Sequence, residues 1–279
     1  MAVIHGNFYS KTLENGVQIE IALPEPIRDG AKEPLPVLYL LHGNSDDATV
    51  WQRRTSIERY ADQYGMAVVM PGVQRGSAYT DQVNGEAWYT YIAQEVPDMA
   101  RRYLKISQRR EDTFVAGLSM GGYGAMHWAL REPQRFRAAI TLSGAVGSRI
   151  PTGYSLSDIK RTSGQDRQKR ENRESYAIRT EFAMTYGSVE QYLQNDDAHL
   201  IRQVKAALRE GKKLPDLYMA CGTEDFLYDA NAQLHEQLTA LGVAHTYREG
   251  PGAHNWAFWD HWIQDALAWI ARLRQADGI

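Results

Sequence analysis

Cysteine is almost absent from this sequence: its 279 residues include one, Cys221. A single cysteine excludes an intrachain disulfide and a metal site built from several thiolates. A thiol nucleophile is still allowed by count, but Cys221 ends the apolar run "LYMACG" at residues 217–222. A lone cysteine at a buried strand end is typical of core packing. We therefore interpret Cys221 as a core residue.

A strong charge excess and a long apolar run are also missing. The formal net charge of -3 at pH 7 gives no reason to expect binding to nucleic acid or to an anionic membrane. No stretch approaches the roughly 18 apolar residues of a membrane span. Residues 1–16 have neither the basic start nor the apolar segment of a secretory signal. We therefore expect a cytoplasmic protein.

Two common catalytic motifs do not occur. The sequence contains no H-E-x-x-H pattern, which places two zinc-binding histidines on one helical face. It also contains no G-x-x-x-x-G-K-[ST] loop, which would cradle the phosphates of a nucleotide. We therefore expect neither a metal ion nor a nucleotide in the site.

What the sequence does contain is an alternation of short apolar runs with amphipathic segments. A hairpin is predicted around Asn15-Gly16, because Asn-Gly between short alternating runs favours a tight turn. Pro97 interrupts one helical pattern, which predicts a kink or a short break there. Apolar runs separated by helices are typical of a mostly parallel sheet covered on both faces. We predict an α/β fold; its strand-like runs are "PVLYLLHG", "MAVVMPG", "TFVAG", "RAAITLSG", "DLYMACG" and "AHTYREG".

This alternation fails between Ser143 and Pro215. Residues of about 145–200 are polar, with basic and acidic side chains interleaved, which is typical of a solvated surface. We interpret them as an insertion after the sixth strand of a single domain that spans residues 1–279. Two roles remain open for the insertion: a lid that shapes a binding pocket, or a contact in a homo-oligomer.

Ser119 stands at the centre of "GLSMG", between the strand-like "TFVAG" and the helix-like "GGYGAMHWALREP". Strand–turn–helix is the context of the G-x-S-x-G nucleophile elbow. Cβ atoms at positions 117 and 121 would collide with the neighbouring strand and helix, while the serine hydroxyl stands exposed at a helix N-terminus. A packing turn of small residues is the alternative. We predict that Ser119 is a nucleophile.

A nucleophilic serine needs a base and an orienting acid. In this fold they follow in the chain order serine, acid, histidine. His254 lies in a glycine-rich loop directly before the last helical pattern, and the other histidines lie in less site-like contexts. Asp225 follows a late strand, with Glu224 and Asp229 as alternatives. We predict that His254 is the general base and that Asp225 orients it.

Acyl transfer also needs an oxyanion hole, which is made by two backbone N–H groups aimed at the developing negative charge. One donor is expected from Met120, the residue after the nucleophile. The other is expected from the loop after "VLYLLHGNS", from Asn44 with Gly43 as the competitor. The side chains of His42 and Asn44 are expected to brace this loop.

Several aromatic residues in loops or at helix starts are candidates for substrate contact. Core packing is at least as well supported for each of them by the sequence. An aromatic acyl group such as ferulate would suit them. These candidates are Trp51, Tyr79, Trp88, Tyr89 and Trp256.

Four segments together resemble the esterase D-like branch of the α/β-hydrolases, and above all the tributyrin-esterase group of bacterial carboxylesterases. They are "VLYLLHGNSDDATVWQRRTSIERYADQYGMAVVMPG", "AGLSMGGYGAMHWAL", "CGTEDFLYDAN" and "GAHNWAFWD", which occur in the family's order. The resemblance covers most of the chain outside 145–200. It implies the α/β-hydrolase fold, a triad of Ser119, Asp225 and His254, and ester hydrolysis without metal or organic cofactor.

The expected activity is hydrolysis of short-chain oxygen esters, with a small-molecule substrate. Feruloyl esterases and S-formylglutathione hydrolases belong to the same set and are the alternatives. S-formylglutathione hydrolases usually have serine-glycine where this sequence has His42-Gly43, which favours oxygen esters over thioesters. A peptidase with the same triad, an acyltransferase and a catalytically silent binding module are further alternatives. A silent module usually loses a triad residue, and all three are present here.

Overall fold

The computed structural model describes residues 2–25, 34–150 and 170–279, and for 170–177 the course of the helix alone. Residues 151–169 of the predicted insertion therefore lie outside the described residues. No helix in the described part of the chain is both long enough and apolar enough to cross a membrane.

The described strands form one eight-stranded sheet in the order β1-β2-β4-β3-β5-β6-β7-β8. β1 and β2 pair in antiparallel fashion, as do β2 and β4, and all other neighbours are parallel. The predicted, mostly parallel sheet is thereby confirmed. The strands are β1 Ala2–Ser10, β2 Asn15–Leu23, β3 Val37–Leu41, β4 Ala67–Pro71, β5 Thr113–Leu118, β6 Ala138–Leu142, β7 Asp216–Gly222 and β8 His245–Gly250.

Helices occupy the connections between these strands. α6 and α7 follow β6 and belong to the predicted insertion. The described helices are α1 Val50–Arg54, α2 Ile57–Gln63, α3 Trp88–Thr90, α4 Val96–Tyr103, α5 Met120–Arg131, α6 Arg170–Tyr186, α7 Val189–Gln194, α8 Leu200–Arg209, α9 Tyr228–Ala240 and α10 Trp256–Ala276.

The sheet separates two hydrophobic cores, because alternate residues of a strand face opposite sides. In β3, Val37, Tyr39 and Leu41 belong to one core, and Leu38 and Leu40 belong to the other. Helices α3, α4, α5, α8 and α9 cover the first face, and α1, α2 and α10 cover the second. The prediction of helices on both faces is therefore confirmed.

The N-terminal hairpin is present, but its turn is displaced from the predicted position. Ser10 pairs with Asn15, so Asn15 and Gly16 already belong to β2. The turn spans residues 11–14, and Glu14 adopts the left-handed conformation with φ of 48°. Glu14, rather than Asn15 or Gly16, thus adopts the left-handed conformation in this hairpin.

The predicted break at Pro97 is a change of helix type. A π-helical turn, Tyr91–Glu95, connects α3 directly to α4. Proline has no N–H to donate to the carbonyl four residues before it, and a wider turn is one way to absorb that loss. The carbonyl of Ala93 instead accepts a hydrogen bond from Arg135 Nη1 at 2.7 Å.

Candidate active site

Ser119 forms the sharp corner between β5 and α5. Its φ of 52° and ψ of -117° are unusual for a residue with a side chain. The Ser119 N–H donates to Leu142 O at 3.0 Å, and its carbonyl accepts from Tyr123 N at 3.1 Å and Ala145 N at 2.9 Å. These bonds hold the strained conformation, which persists only where the surroundings determine it.

The two glycines around Ser119 are required by close backbone contacts. A Cβ atom on Gly117 would overlap the carbonyl group of Gly121. A Cβ atom on Gly121 would lie 2.5 Å from the carbonyl oxygens of Leu41 and His42. The backbone of β3 therefore approaches the start of α5 too closely for any side chain at position 121.

His254 lies in the loop between β8 and α10, within hydrogen-bonding distance of two predicted partners. Its Nε2 is 3.0 Å from Ser119 Oγ, and its Nδ1 is 2.9 Å from Asp225 Oδ2. Because an ionised carboxylate can only accept, the Nδ1 proton points to Asp225 and Nε2 is left to accept from the serine. The structure thus brings together Ser119, His254 and Asp225.

The side chain of Asp225 is fully buried and accepts hydrogen bonds from two groups. Besides His254 it accepts the Leu227 N–H at 2.8 Å. Burial by itself would raise the pKa of Asp225, but the hydrogen bonds from His254 and from the Leu227 amide help to hold it below its ordinary value. Asp225 is therefore ionised at neutral pH and fixes the imidazole tautomer.

The two alternative acids face elsewhere. Glu224 accepts the backbone N–H of Gly252 through its carboxylate, and this bond lowers its pKa. Asp229 lies in the first turn of α9. The side chain that contacts the imidazole is therefore Asp225.

Two aromatic rings flank the imidazole of His254. The ring centroid of Phe226 lies 4.6 Å from that of His254, and the centroid of Trp259 lies 4.9 Å away with the two planes at 88°. Phe226 is 77% exposed although it is large and apolar. The two rings restrict the orientation of the imidazole, and Phe226 forms part of the rim of the cavity beside it.

His42 braces the loop after β3. Its Nε2 accepts the Val73 N–H at 3.1 Å, so Nδ1 carries the proton and donates to Gly43 O at 2.7 Å. Burial lowers the pKa of His42, which keeps the ring neutral. The Tyr79 hydroxyl donates to His42 O at 3.0 Å. His42 therefore stabilises this loop through hydrogen bonds of its ring and its carbonyl group.

Gly43, Asn44 and Met120 line the same cavity as Ser119 and His254. Among the described residues, their three backbone N–H groups donate to no protein acceptor. The Asn44 side chain holds its own loop, because its Oδ1 accepts the N–H of Gly76 at 2.7 Å. Backbone donors are thus available on both sides of Ser119.

The cavity has a volume of about 980 Å³ and is closed on one side by α6. The end of α6 is attached to the loop at 76–83: the Thr185 hydroxyl donates to Gly76 O at 3.0 Å. Thr185 O accepts the N–H of Val83 at 3.1 Å. Residues 178–186, part of the predicted insertion, therefore contribute a wall of the cavity.

The aromatic candidates for substrate contact require a correction. Trp256 lines the cavity, so its contact with substrate stays a prediction. The other four do not line it, because their rings are buried in the two cores between the sheet and its helices: Trp51, Tyr79, Trp88 and Tyr89.

Other cavity residues were not predicted from the sequence. Phe226 and Trp259 could have been found from their closeness in sequence to Asp225 and His254. Those that lie in or next to the insertion carried no such signal: Arg149, Phe182 and Tyr186.

Cys221 is buried, as interpreted from the sequence. Burial, and then the negative charge of Asp225, raise the pKa of the Cys221 thiol to about 12. The thiol therefore stays protonated far above neutral pH, and the thiolate is the reactive form. We expect no reaction of the folded protein with Ellman's reagent at pH 8, and about one thiol per chain after denaturation in guanidinium. Rapid labelling of the folded protein would contradict this assignment.

Comparison with known proteins identifies the family. The family model described as putative esterase matches residues 10–270. An acetyl esterase of Caldicellulosiruptor saccharolyticus is 30% identical over 284 residues, which cover 98% of this chain and 99% of that protein.

Two solved structures from Staphylococcus aureus are also similar. One is the substrate-bound fluorophosphonate-binding serine hydrolase F, at 31% identity and a TM-score of 0.80, with 97% of this chain and 98% of that chain covered. The other is the apoenzyme of S-formylglutathione hydrolase FrmB, at 32% identity and a TM-score of 0.76 with the same coverage. The predicted esterase D-like relationship and the α/β-hydrolase fold are thereby confirmed. The chain belongs to the putative esterase family and is a carboxylic ester hydrolase.

Proposed function

We propose that this protein is a serine carboxylesterase that hydrolyses short-chain acyl esters of oxygen through an acyl-serine intermediate, with Ser119, His254 and Asp225 as its triad. One observation carries the proposal. The imidazole of His254 lies 3.0 Å from the Ser119 hydroxyl and 2.9 Å from the Asp225 carboxylate, beside a cavity that can admit a small molecule.

Acylation begins at the Ser119 hydroxyl. His254 Nε2 accepts the proton while Oγ attacks the ester carbonyl carbon, and Asp225 stabilises the imidazolium that forms. Collapse of the tetrahedral intermediate breaks the bond to the alcohol oxygen, which leaves with the proton from His254. The products of this half are the free alcohol and acyl-Ser119.

Deacylation repeats these steps with water. His254 Nε2 takes a proton from water, and the hydroxide oxygen attacks the acyl carbon. Ser119 Oγ leaves and regains its proton from His254, and the carboxylic acid is released. In an acyltransferase a second alcohol would take the place of this water.

The oxyanion is proposed to bind the Met120 N–H together with that of Asn44 or Gly43. Met120 is the first residue of α5, so its N–H has no partner within the helix and lies at the positive end of the helix dipole. All three amides lie next to the cavity. Donors aimed at a developing charge in a shielded site contribute about 3–4 kcal/mol each.

The acyl group is proposed to be short. The 30% identical relative is named an acetyl esterase, and the sequence resembles the tributyrin-esterase group. Trp256, Trp259 and Phe226 line the cavity, so an aromatic acyl group such as ferulate is the alternative to a short acyl group. The wall formed by α6 supports the proposal that part of the insertion shapes the acyl pocket.

A thioester is the second candidate substrate. One solved relative, at 32% identity, is an S-formylglutathione hydrolase. The loop "LLHGNS" has His42-Gly43 where those enzymes usually have serine-glycine, which favours oxygen esters.

A substrate panel tests the proposed specificity. We expect kcat/KM for p-nitrophenyl esters to be highest at acetate or butyrate and at least about tenfold lower at laurate, because a short acyl pocket cannot bury a long chain. The panel also contains methyl ferulate and S-formylglutathione. A maximum at laurate or at ferulate would reject the short-chain assignment, and a maximum at the thioester would reject the assignment to oxygen esters. Each of these outcomes keeps the serine mechanism.

A further inference from the structure

Arg149 is a cation in the wall of the active-site cavity for which the described residues provide no ion-pair partner. It lines the same cavity as Ser119, and its Nε and Nη2 atoms are shielded from solvent and have no hydrogen-bond partner among the described residues. Within the described residues no carboxylate forms an ion pair with it. A guanidinium stays charged and offers five N–H donors in a planar fork that suits a carboxylate. Leaving such donors buried without acceptors costs stability.

The surroundings of Arg149 hold its side chain in place but provide no hydrogen-bond acceptor for Nε or Nη2 among the described residues. The guanidinium carbon lies 4.0 Å from the centroid of the Tyr123 ring. The Arg149 backbone N–H donates to the Tyr192 hydroxyl at 3.1 Å. A cation–π contact stabilises the charge but supplies no acceptor for the N–H groups. The cation–π contact therefore leaves Nε and Nη2 without an acceptor among the described residues.

Tyr123 contacts both Arg149 and Ser119. Its amide donates to Ser119 O at 3.1 Å, so the two residues are one helical turn apart. At about 1.5 Å per residue this turn spans roughly 6 Å along the axis of α5. Because Arg149 and Ser119 line the same cavity, a group bound by Arg149 can belong to an ester held at Ser119.

The other ionic side chains of the cavity are arranged differently. Arg75 pairs with Glu181 at 2.6 Å, and Glu181 also accepts from Asn44 Nδ2 at 3.4 Å. Asp46 and Arg179 line the cavity as well. Glu181, an acidic side chain of the cavity wall, is therefore engaged by another arginine.

We propose that Arg149 is a substrate-binding residue that pairs with a carboxylate of the ester, and that the preferred substrate is an ester with a free carboxylate in its acyl or its alcohol part. This inference rests on the proposed function of the cavity. It adds a requirement for charge that a simple acetyl ester does not meet.

The test compares carboxylate esters with neutral esters of similar size. Monomethyl glutarate carries the charge in its acyl part and is matched with methyl pentanoate. Acetoxyacetate carries it in the alcohol part and is matched with propyl acetate. We expect the wild type to favour one of the two anionic esters over its neutral match, and Arg149→Gln to lower kcat/KM for that ester about tenfold to a hundredfold. Rates on the neutral esters should stay within about twofold.

Arg179→Gln is the matched control, because it removes a second arginine of the same cavity. Selective loss in Arg179→Gln alone, equal loss of both ester types in Arg149→Gln, or no preference of the wild type for either carboxylate ester would each overturn the proposal. Thermal unfolding of both variants separates loss of binding from loss of structure. Neutral esters and Ser119→Ala test the proposed function independently of this result.

Discussion

Replacing Ser119 by alanine is expected to lower kcat for a short p-nitrophenyl ester by at least about 10⁴-fold, down to the small residual rate that binding and the oxyanion hole support. The reason is geometric. The Ser119 hydroxyl is the one that meets His254 Nε2, at 3.0 Å. Alanine retains the backbone corner but leaves His254 without a nucleophile to activate.

Labelling by a fluorophosphonate provides a second readout, since these reagents phosphonylate an activated serine. We expect one label per wild-type chain and none on Ser119→Ala. Ser148→Ala is the matched control, because Ser148 also lines the cavity and its hydroxyl accepts the Ile150 N–H at 3.3 Å but forms no hydrogen bond with a histidine within the described residues. Labelling or turnover that survives in a folded Ser119→Ala would refute the assignment and revive the binding-module alternative.

Replacing Asp225 by asparagine is expected to cost about 10⁴-fold in kcat. Asp225 is ionised and accepts the Nδ1 proton of His254. An amide in its place can turn its NH₂ toward Nδ1 and stabilise the wrong tautomer, in which Nε2 carries the proton and cannot act as a base. The measurement is steady-state hydrolysis of p-nitrophenyl acetate or butyrate.

Glu224→Gln is the control for this substitution, because Glu224 is the neighbouring acid that the sequence also allowed. Its carboxylate accepts from the Gly252 N–H on the exposed side of the loop. We expect its activity to stay within a few-fold of the wild type. A large loss in Glu224→Gln together with a mild effect of Asp225→Asn would reverse the assignment of the acid.

Local sequence patterns determined much of this protein. The alternation of apolar runs and helices indicated the parallel sheet and its two covered faces, because a strand buried on both sides must be apolar throughout. The glycines at 117 and 121 pointed to Ser119. The contact of Gly117 with Gly121 is local, whereas Gly121 is also required by the backbone at Leu41 and His42, which is distant in the chain. The order serine, acid, histidine then pointed to Asp225 and His254, and the tertiary structure places His254 within hydrogen-bonding distance of both Asp225 and Ser119.

The walls of the cavity were decided by the tertiary structure alone. Trp51 and Trp88 have the same local character as Trp256, yet they fill the cores while Trp256 lines the cavity. Arg149 lies in a stretch without secondary-structure pattern, and its neighbours Tyr123 and Tyr192 come from α5 and α7. The periodicity of the sequence pattern indicates which face of its own element a side chain occupies. Whether that face meets a core or a cavity depends on elements distant in the chain, because close packing is a property of all the surrounding surfaces together.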